Sequence, residues 1–270
     1  MSAAHDVSAL RQLLAGLEAE HLPSAPSVFS LGAAGPDGVL SRALARGTLH
    51  EVHAAEGADI PAASGFALAL ALRACGARDA AQPIVWVRQG FLDAEAGVLH
   101  APGLLGLGLD PSRLILIRAG NPEEALRAAG DAAVCPGLGA VLLEPWGEPK
   151  ALDLTATRRL ALRARASGVP LFLLRMTARP APSVAVTRWL VRPVVSSPLA
   201  AGAPGAPAFA VTLLRHRAGL SGHMWTLEWD HDSRSFRDIA PLSRAVVPVP
   251  AGRPAAPPAL TPFRPLRDAG

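Results

Sequence analysis

The chain has 270 residues, half of them hydrophobic, which is enough for one large core and excludes a small disulfide scaffold. Its formal charge of +4, from 26 basic and 22 acidic residues, is too small to single out nucleic acid as a partner. Lys150 is the sole lysine, and this arginine bias beside abundant alanine fits a GC-rich genome better than selection at each site.

Residues 6–20 place Val7, Leu10, Leu13, Leu14 and Leu17 at helical spacing. The spacing predicts an amphipathic helix over 1–21 that needs something to pack on. It replaces the basic-then-apolar start of a secretory leader, so the chain is expected to be cytoplasmic. Residues 22–38 hold three prolines and three glycines, and 22–43 reads as a linker. The core is expected over 44–240. Gly47–Val52 reads as a strand, followed by the turn Ala55–Asp59 and an apolar helix over Ala62–Cys75. That helix is short for a bilayer and carries Ser64 and Arg73, so no membrane contact is expected. Cys75 and Cys135 are isolated, form no C-x-x-C pair, and are expected to be small buried hydrophobes.

Alternation then sets in. Pro83–Val87 and Arg113–Arg118 are apolar runs of the kind found in parallel sheets covered on both faces. Asn121-Pro122-Glu123-Glu124 is a helix start, with an N-cap, a proline at the first helical position and two acids on the helix dipole. Its helix is expected to reach Ala133. Gly139–Glu144 is another strand. A further helix opens at Asp153 or Thr155 and closes at Gly168, with Leu160, Ala161 and Ala164 on one face and Arg159 and Arg163 on the other. Val169–Arg175 is the next strand. These segments predict an α/β fold with a mostly parallel sheet. After residue 185 the pattern changes. Thr187–Val191 is a strand, and Phe209–Arg215 and Met224–Trp229 form an antiparallel hairpin whose Trp225, Leu227 and Trp229 face one way. From Ala245 seven prolines fall in 26 residues, and 241–270 is expected to be a disordered tail.

Strand, glycine-containing turn and helix is the setting of a phosphate-binding loop, which aims backbone N–H groups and a lysine at the phosphates. No G-x-x-x-x-G-K-[ST] occurs, and the place for it reads Ala62-Ala63-Ser64-Gly65-Phe66. Ser64 and Gly65 are therefore vestigial ATP-site positions. Glu144, at the carboxyl end of its strand, stands where an ATPase would hold Mg²⁺. No catalytic residue, cofactor or metal is expected. His50 and His53 are three apart on a strand and point to opposite faces, so they do not form a zinc pair. Asp93 with Glu95, and Asp230-His231-Asp232, read as solvated turns. Arg215, Arg217, Arg234 and Arg237 bracket the hairpin and could touch phosphates as well as water.

The order of several segments resembles the ImuA family, RecA/SulA-like proteins of the bacterial damage-inducible mutagenesis cassette. They are Gly47–Val52, Trp86-Val87-Arg88-Gln89, Gly108–Leu114, Thr157-Arg158-Arg159-Leu160, Thr187-Arg188-Trp189 and Trp225–Asp230, spread over residues 44–237. The resemblance implies a RecA-like core, a place in the SOS response, and translesion synthesis beside RecA, an ImuB-type inactive Y-family polymerase homologue and, indirectly, an error-prone replicative-type polymerase. DNA contact would be indirect. By analogy with RecA, the stripe Leu10, Leu13, Leu14 and Leu17 is a candidate docking element, and Arg159, Arg163, Arg215, Arg217 and Arg234 are candidate partner or DNA contacts. Two other functions stay open: a SulA-like inhibitor of cell division, and an ATP-binding enzyme with an atypical phosphate loop around Gly57–Gly65.

Overall fold

A strand such as Ile84–Val87 is apolar on both sides, so both sides must be covered. The computed structural model, which describes residues 27–41, 44–76, 82–200, 203 and 205–239, meets this demand with a three-layer α/β arrangement. In chain order the elements are β1 (Val28–Phe29), α1 (Ala34–Val39), β2 (Leu44–Ala45), β3 (Leu49–Ala54), a 3₁₀ turn (Gly57–Asp59) and α2 (Ile60–Cys75). Next come β4 (Ile84–Gln89), α3 (Leu92–Glu95), α4 (Ala101–Gly106), a 3₁₀ turn (Pro111–Arg113), β5 (Leu114–Ala119), α5 (Pro122–Ala133), β6 (Ala140–Glu144) and α6 (Leu154–Ser167). The chain continues through β7 (Leu171–Arg175), β8 (Thr187–Pro193), β9 (Ala208–His216), β10 (His223–Asp230) and β11 (Ser235–Asp238).

Among the described residues one sheet has nine strands in the order β11-β10-β9-β8-β3-β7-β6-β4-β5. From β8 to β5 every pairing is parallel; β8–β9, β9–β10 and β10–β11 are antiparallel. The strand after β3 lies beyond β7 and β6, so the chain reverses direction around β3. Ligands of such sheets collect at the carboxyl ends of strands near that reversal. Helix α2 covers one face, with Phe66, Leu68, Leu70 and Leu72 packed on Trp86, Leu142, Phe172 and Trp189. Helices α5 and α6 cover the other, with Ala125, Ala129, Leu160 and Ala164 on Val85, Val141, Leu171 and Leu173.

The two helix starts lie where the sequence places them. Asn121 Oδ1 accepts from the Glu124 N–H at 2.8 Å, Asp153 Oδ1 accepts from the Ala156 N–H at 2.7 Å, and α6 ends on Gly168 at φ +78°.

Four expectations are corrected. First, residues 27–41 are not a linker. Phe29, Leu31, Ala33 and Leu40 are buried, the Phe236 N–H donates to the Leu31 carbonyl at 2.9 Å, and the Gly35 N–H donates to Asp238 Oδ2 at 2.8 Å. The glycines serve close packing: Gly32, at φ +93°, lies against Ser235, where a Cβ would come within 2.7 Å. Second, the hairpin gains a third strand, β11, whose Phe236 is fully buried against Trp229, while Trp225 is only partly buried. Third, Cys135 is exposed; only Cys75 is buried. Fourth, the helical stretch Gly57–Cys75 is 19 residues long and by length and composition could cross a membrane. Length therefore does not exclude a bilayer, and what places this helix is the sheet face that it covers. The stripe Leu10, Leu13, Leu14 and Leu17, and the tail 241–270, lie outside the described residues.

Candidate functional site

At the carboxyl end of β3 the chain passes through Ala55 and Glu56 into the 3₁₀ turn and then into α2. In a nucleotide-binding relative of this architecture, the helix N-terminus would face phosphate. Here two of the chain's own carboxylates close the 3₁₀ turn that leads into α2. Glu56 and Asp59 cap each other reciprocally, with the Glu56 N–H donating to Asp59 Oδ2 at 3.1 Å. Arg192 of β8 lies across both, its Nη2 3.5 Å from Glu56 Oε1 and its Nε 3.9 Å from Asp59 Oδ2. Pro61 removes one N–H from the first turn. The turn thus carries two carboxylates and one guanidinium where a phosphate loop would carry a lysine.

The structure brings the three vestigial positions together. Ser64, Gly65 and Glu144 line one cavity of about 270 Å³, together with Trp86, Arg88 and the segment around His100. Glu144 is 1% exposed and already partnered. Trp86 Nε1 donates to its Oε2 at 2.9 Å, and Arg88 Nε lies 3.2 Å from the same oxygen. Arg88 and Glu144 are register partners on β4 and β6. Arg88 also donates to Asp93 Oδ1 at 3.1 Å and to the Gly97 carbonyl at 3.0 Å, and Arg118 Nε donates to Asp93 Oδ2 at 2.8 Å. Burial pushes the Glu144 carboxyl above its ordinary range, and Arg88 and Trp86 offset this only in part. A carboxylate so enclosed has its acceptor oxygens turned to protein. Asp93, read as a solvated turn residue, is in fact an arm of this network. Gly65 needs no special freedom, since a Cβ there would meet the Phe209 ring at an ordinary 3.7 Å.

On the opposite face of β3 lies a second buried polar group that sequence reasoning missed. Glu51 Oε2 accepts from Arg188 Nε at 2.6 Å, and His53 Nε2 lies 3.6 Å from the same oxygen. Burial works against the Glu51 carboxylate, but His53 and Arg188 together hold it below its ordinary range. The hint in the sequence was charged residues at alternate positions of a strand enclosed on both sides. His50 points the other way, as expected. Its Nδ1 is 2.8 Å from Thr187 Oγ1, its Nε2 is 3.0 Å from Thr48 Oγ1, and its ring stacks on Phe172. Burial holds its imidazole down at about 4.

The candidate contact arginines do not form one surface. Arg163 pairs with Asp131 of α5 at 2.8 Å, and Arg159 is exposed nearby on α6. Arg234 lies at the β10–β11 turn, where its carbonyl accepts from Arg73 Nη1 at 3.2 Å. Arg215 and Arg217 lie at the other end of the meander, separated from it by the length of β10, roughly 24 Å at the usual rise per residue. Arg237 is paired with Asp230 at 2.5 Å. The ligand atoms of Asp230, His231 and Asp232 lie within 4.8 Å of one another, but Asp230 is held by Arg237 and by Ser233 Oγ at 2.7 Å, and His231 and Asp232 are exposed, as expected of a solvated turn.

No protein-family model matches the chain. Among solved structures it is similar to the RadB recombinase, with a TM-score of 0.50 at 17% identity, covering 78% of this chain and all of that one. That likeness concerns the fold, which is RecA-like. Among curated proteins it is similar to Protein ImuA of Caulobacter vibrioides, in strains NA1000 / CB15N and CB 15, with 34% identity over 187 residues, 63% of this chain and 71% of the relative. With the resemblance carried by Gly47–Val52, Trp86–Gln89 and the tryptophan-bearing meander, this places the chain in the ImuA family.

Proposed function

We propose that this chain is a non-catalytic, RecA-like accessory factor in SOS-induced, error-prone translesion synthesis. It acts in the cytoplasm through protein–protein contacts with RecA and an ImuB-type polymerase homologue, and through the latter with an error-prone replicative-type polymerase. Membership of the ImuA family supports the pathway. The observation that carries the non-catalytic part is the turn after β3, closed by Glu56 and Asp59 and lacking a lysine. Phosphoryl transfer depends almost wholly on positioning and charge stabilisation of the phosphates, and the cation at this turn, Arg192, is engaged by Glu56 and Asp59. The Arg88–Glu144 pair supports the same reading, because the acid that would serve Mg²⁺ is held by a guanidinium.

The test is made in cells. Deleting the chain should lower the frequency of damage-induced mutations without changing survival in undamaged culture. The tagged full-length protein, after damage, should co-purify with RecA and the ImuB-type homologue. Unchanged mutation frequency, or filamentous cells on overproduction with capture of the tubulin-like division GTPase, would favour the division-inhibitor alternative.

A further inference from the structure

The exposed side of α6 carries a second apolar line. Leu154, Arg158, Leu162 and Arg165 follow one another at helical spacing, while Thr157, Leu160 and Ala164 form the line that faces the core. Leu154 and Leu162 are 51% and 58% exposed. They form one wall of a groove of about 650 Å³. Its floor is the chain entering β3 and β8, and its far wall is Arg215 and Arg217 at the end of β9. The groove therefore runs along α6 to the chain entering β3 and β8, and shares no lining residue with the cavity at Glu144.

Its charge is one-sided. Four arginines line it and no carboxylate does. Arg158, Arg165 and Arg217 form no ion pair with any described residue. Arg215 is oriented by donating to the Ser183 carbonyl at 3.1 Å. Guanidinium groups gathered this way call for an anionic occupant, and their planar forks suit carboxylate and phosphate alike. The rest of the lining separates the two. Single-stranded nucleic acid is held by stacking bases on aromatic rings, and no aromatic residue lines this groove. Leu154, Leu162 and Val184 have no use against a phosphate backbone, but they offer apolar anchorage to a peptide.

We infer that this groove docks an acidic, amphipathic peptide segment of a partner protein, its carboxylates on Arg158, Arg165, Arg215 and Arg217 and its apolar side chains against Leu154 and Leu162. The probe is a fluorescein-labelled peptide of about 15 residues, rich in Glu and with leucines four apart, titrated into the full-length protein and followed by anisotropy. Binding should weaken about tenfold or more in Arg158→Glu/Arg165→Glu and in Arg217→Glu, on opposite walls, with melting temperatures unchanged. It should also weaken with added salt, with Gln replacing Glu in the probe, and severalfold in Leu162→Ser. Absence of binding would overturn the inference, as would equal binding of the Gln probe. So would preference for oligothymidylate lost in the same variants, which would make the groove a nucleic-acid site. Displacement of the probe by a peptide of residues 1–26 at lower concentration would assign the groove to the chain's own amino-terminal segment and equally overturn it.

Discussion

Removing Arg88 tests the buried network directly. Arg88 is 1% exposed, and its guanidinium neutralises a Glu144 carboxylate that is also 1% exposed. Arg88→Met keeps the apolar stem but leaves Glu144 with only the Trp86 N–H. Breaking a buried pair from one side costs about 3–5 kcal/mol, because an uncompensated charge remains. For a domain of this size each kcal/mol moves the melting temperature by about 2–4 °C, so a fall of roughly 6–20 °C is expected. Asp93 contributes little to the loss, since Arg118 still holds it. The double variant Arg88→Met/Glu144→Gln removes the charge as well as its partner and should recover most of the stability. The pH dependence has a definite sign. Burial already raises the Glu144 carboxyl, and loss of Arg88 raises it further. A carboxyl raised in the folded state binds more protons there than when unfolded, so the penalty is fully present above the folded value and shrinks as pH falls through it. Denaturant melts of the single and double variants, followed by circular dichroism from pH 8 down to pH 5, measure both effects. A single variant as stable as the double, or a gap between them that does not narrow on acidification, would refute the reasoning.

Trp229→Ala should cost about 3–5 kcal/mol in chemical denaturation, since the ring is fully buried against Phe236 and its Nε1 donates to the Leu107 carbonyl at 2.9 Å; Met224→Ala, 75% exposed on the same strand, should be neutral. Gly65→Ala should leave the stability unchanged or raise it by up to about 1 kcal/mol of helix propensity, where a working phosphate loop would lose ligand. His50, held at about 4 when folded and ordinary when unfolded, binds fewer protons in the native state between those values, so stability should fall as pH drops from about 6.5 to 4. That contribution is up to about 3 kcal/mol, and His50→Gln should flatten the corresponding part of the stability–pH curve.

The helices with chemical punctuation were legible. Asn121-Pro122-Glu123-Glu124 and Asp153 with Gly168 fixed α5 and α6 nearly to the residue, because caps and a left-handed glycine are local interactions. Residues 27–41 were misread because Pro36 and three glycines resemble a linker, while their fixity comes from contacts with Phe236 and Asp238 some two hundred positions away. Four-residue β11 has too few residues for a period, and its partner strand alone defines it. At the site the missing lysine could be read directly. The Arg88–Glu144 pair could not, because it depends on β4 and β6 being neighbours in register, which no local pattern states. On α6 the groove is lined by Arg158 and Arg165 and not by the expected Arg159 and Arg163, and Arg163 turns instead to Asp131.

The central claim, a RecA-like core without ATP chemistry, is tested most directly by giving the purified full-length protein Mg²⁺–ATP with and without single-stranded DNA. Phosphate release should stay at the level of a protein-free control, and calorimetry at millimolar ATP should show no saturable heat. Turnover stimulated by single-stranded DNA and abolished by Glu144→Gln would contradict the account.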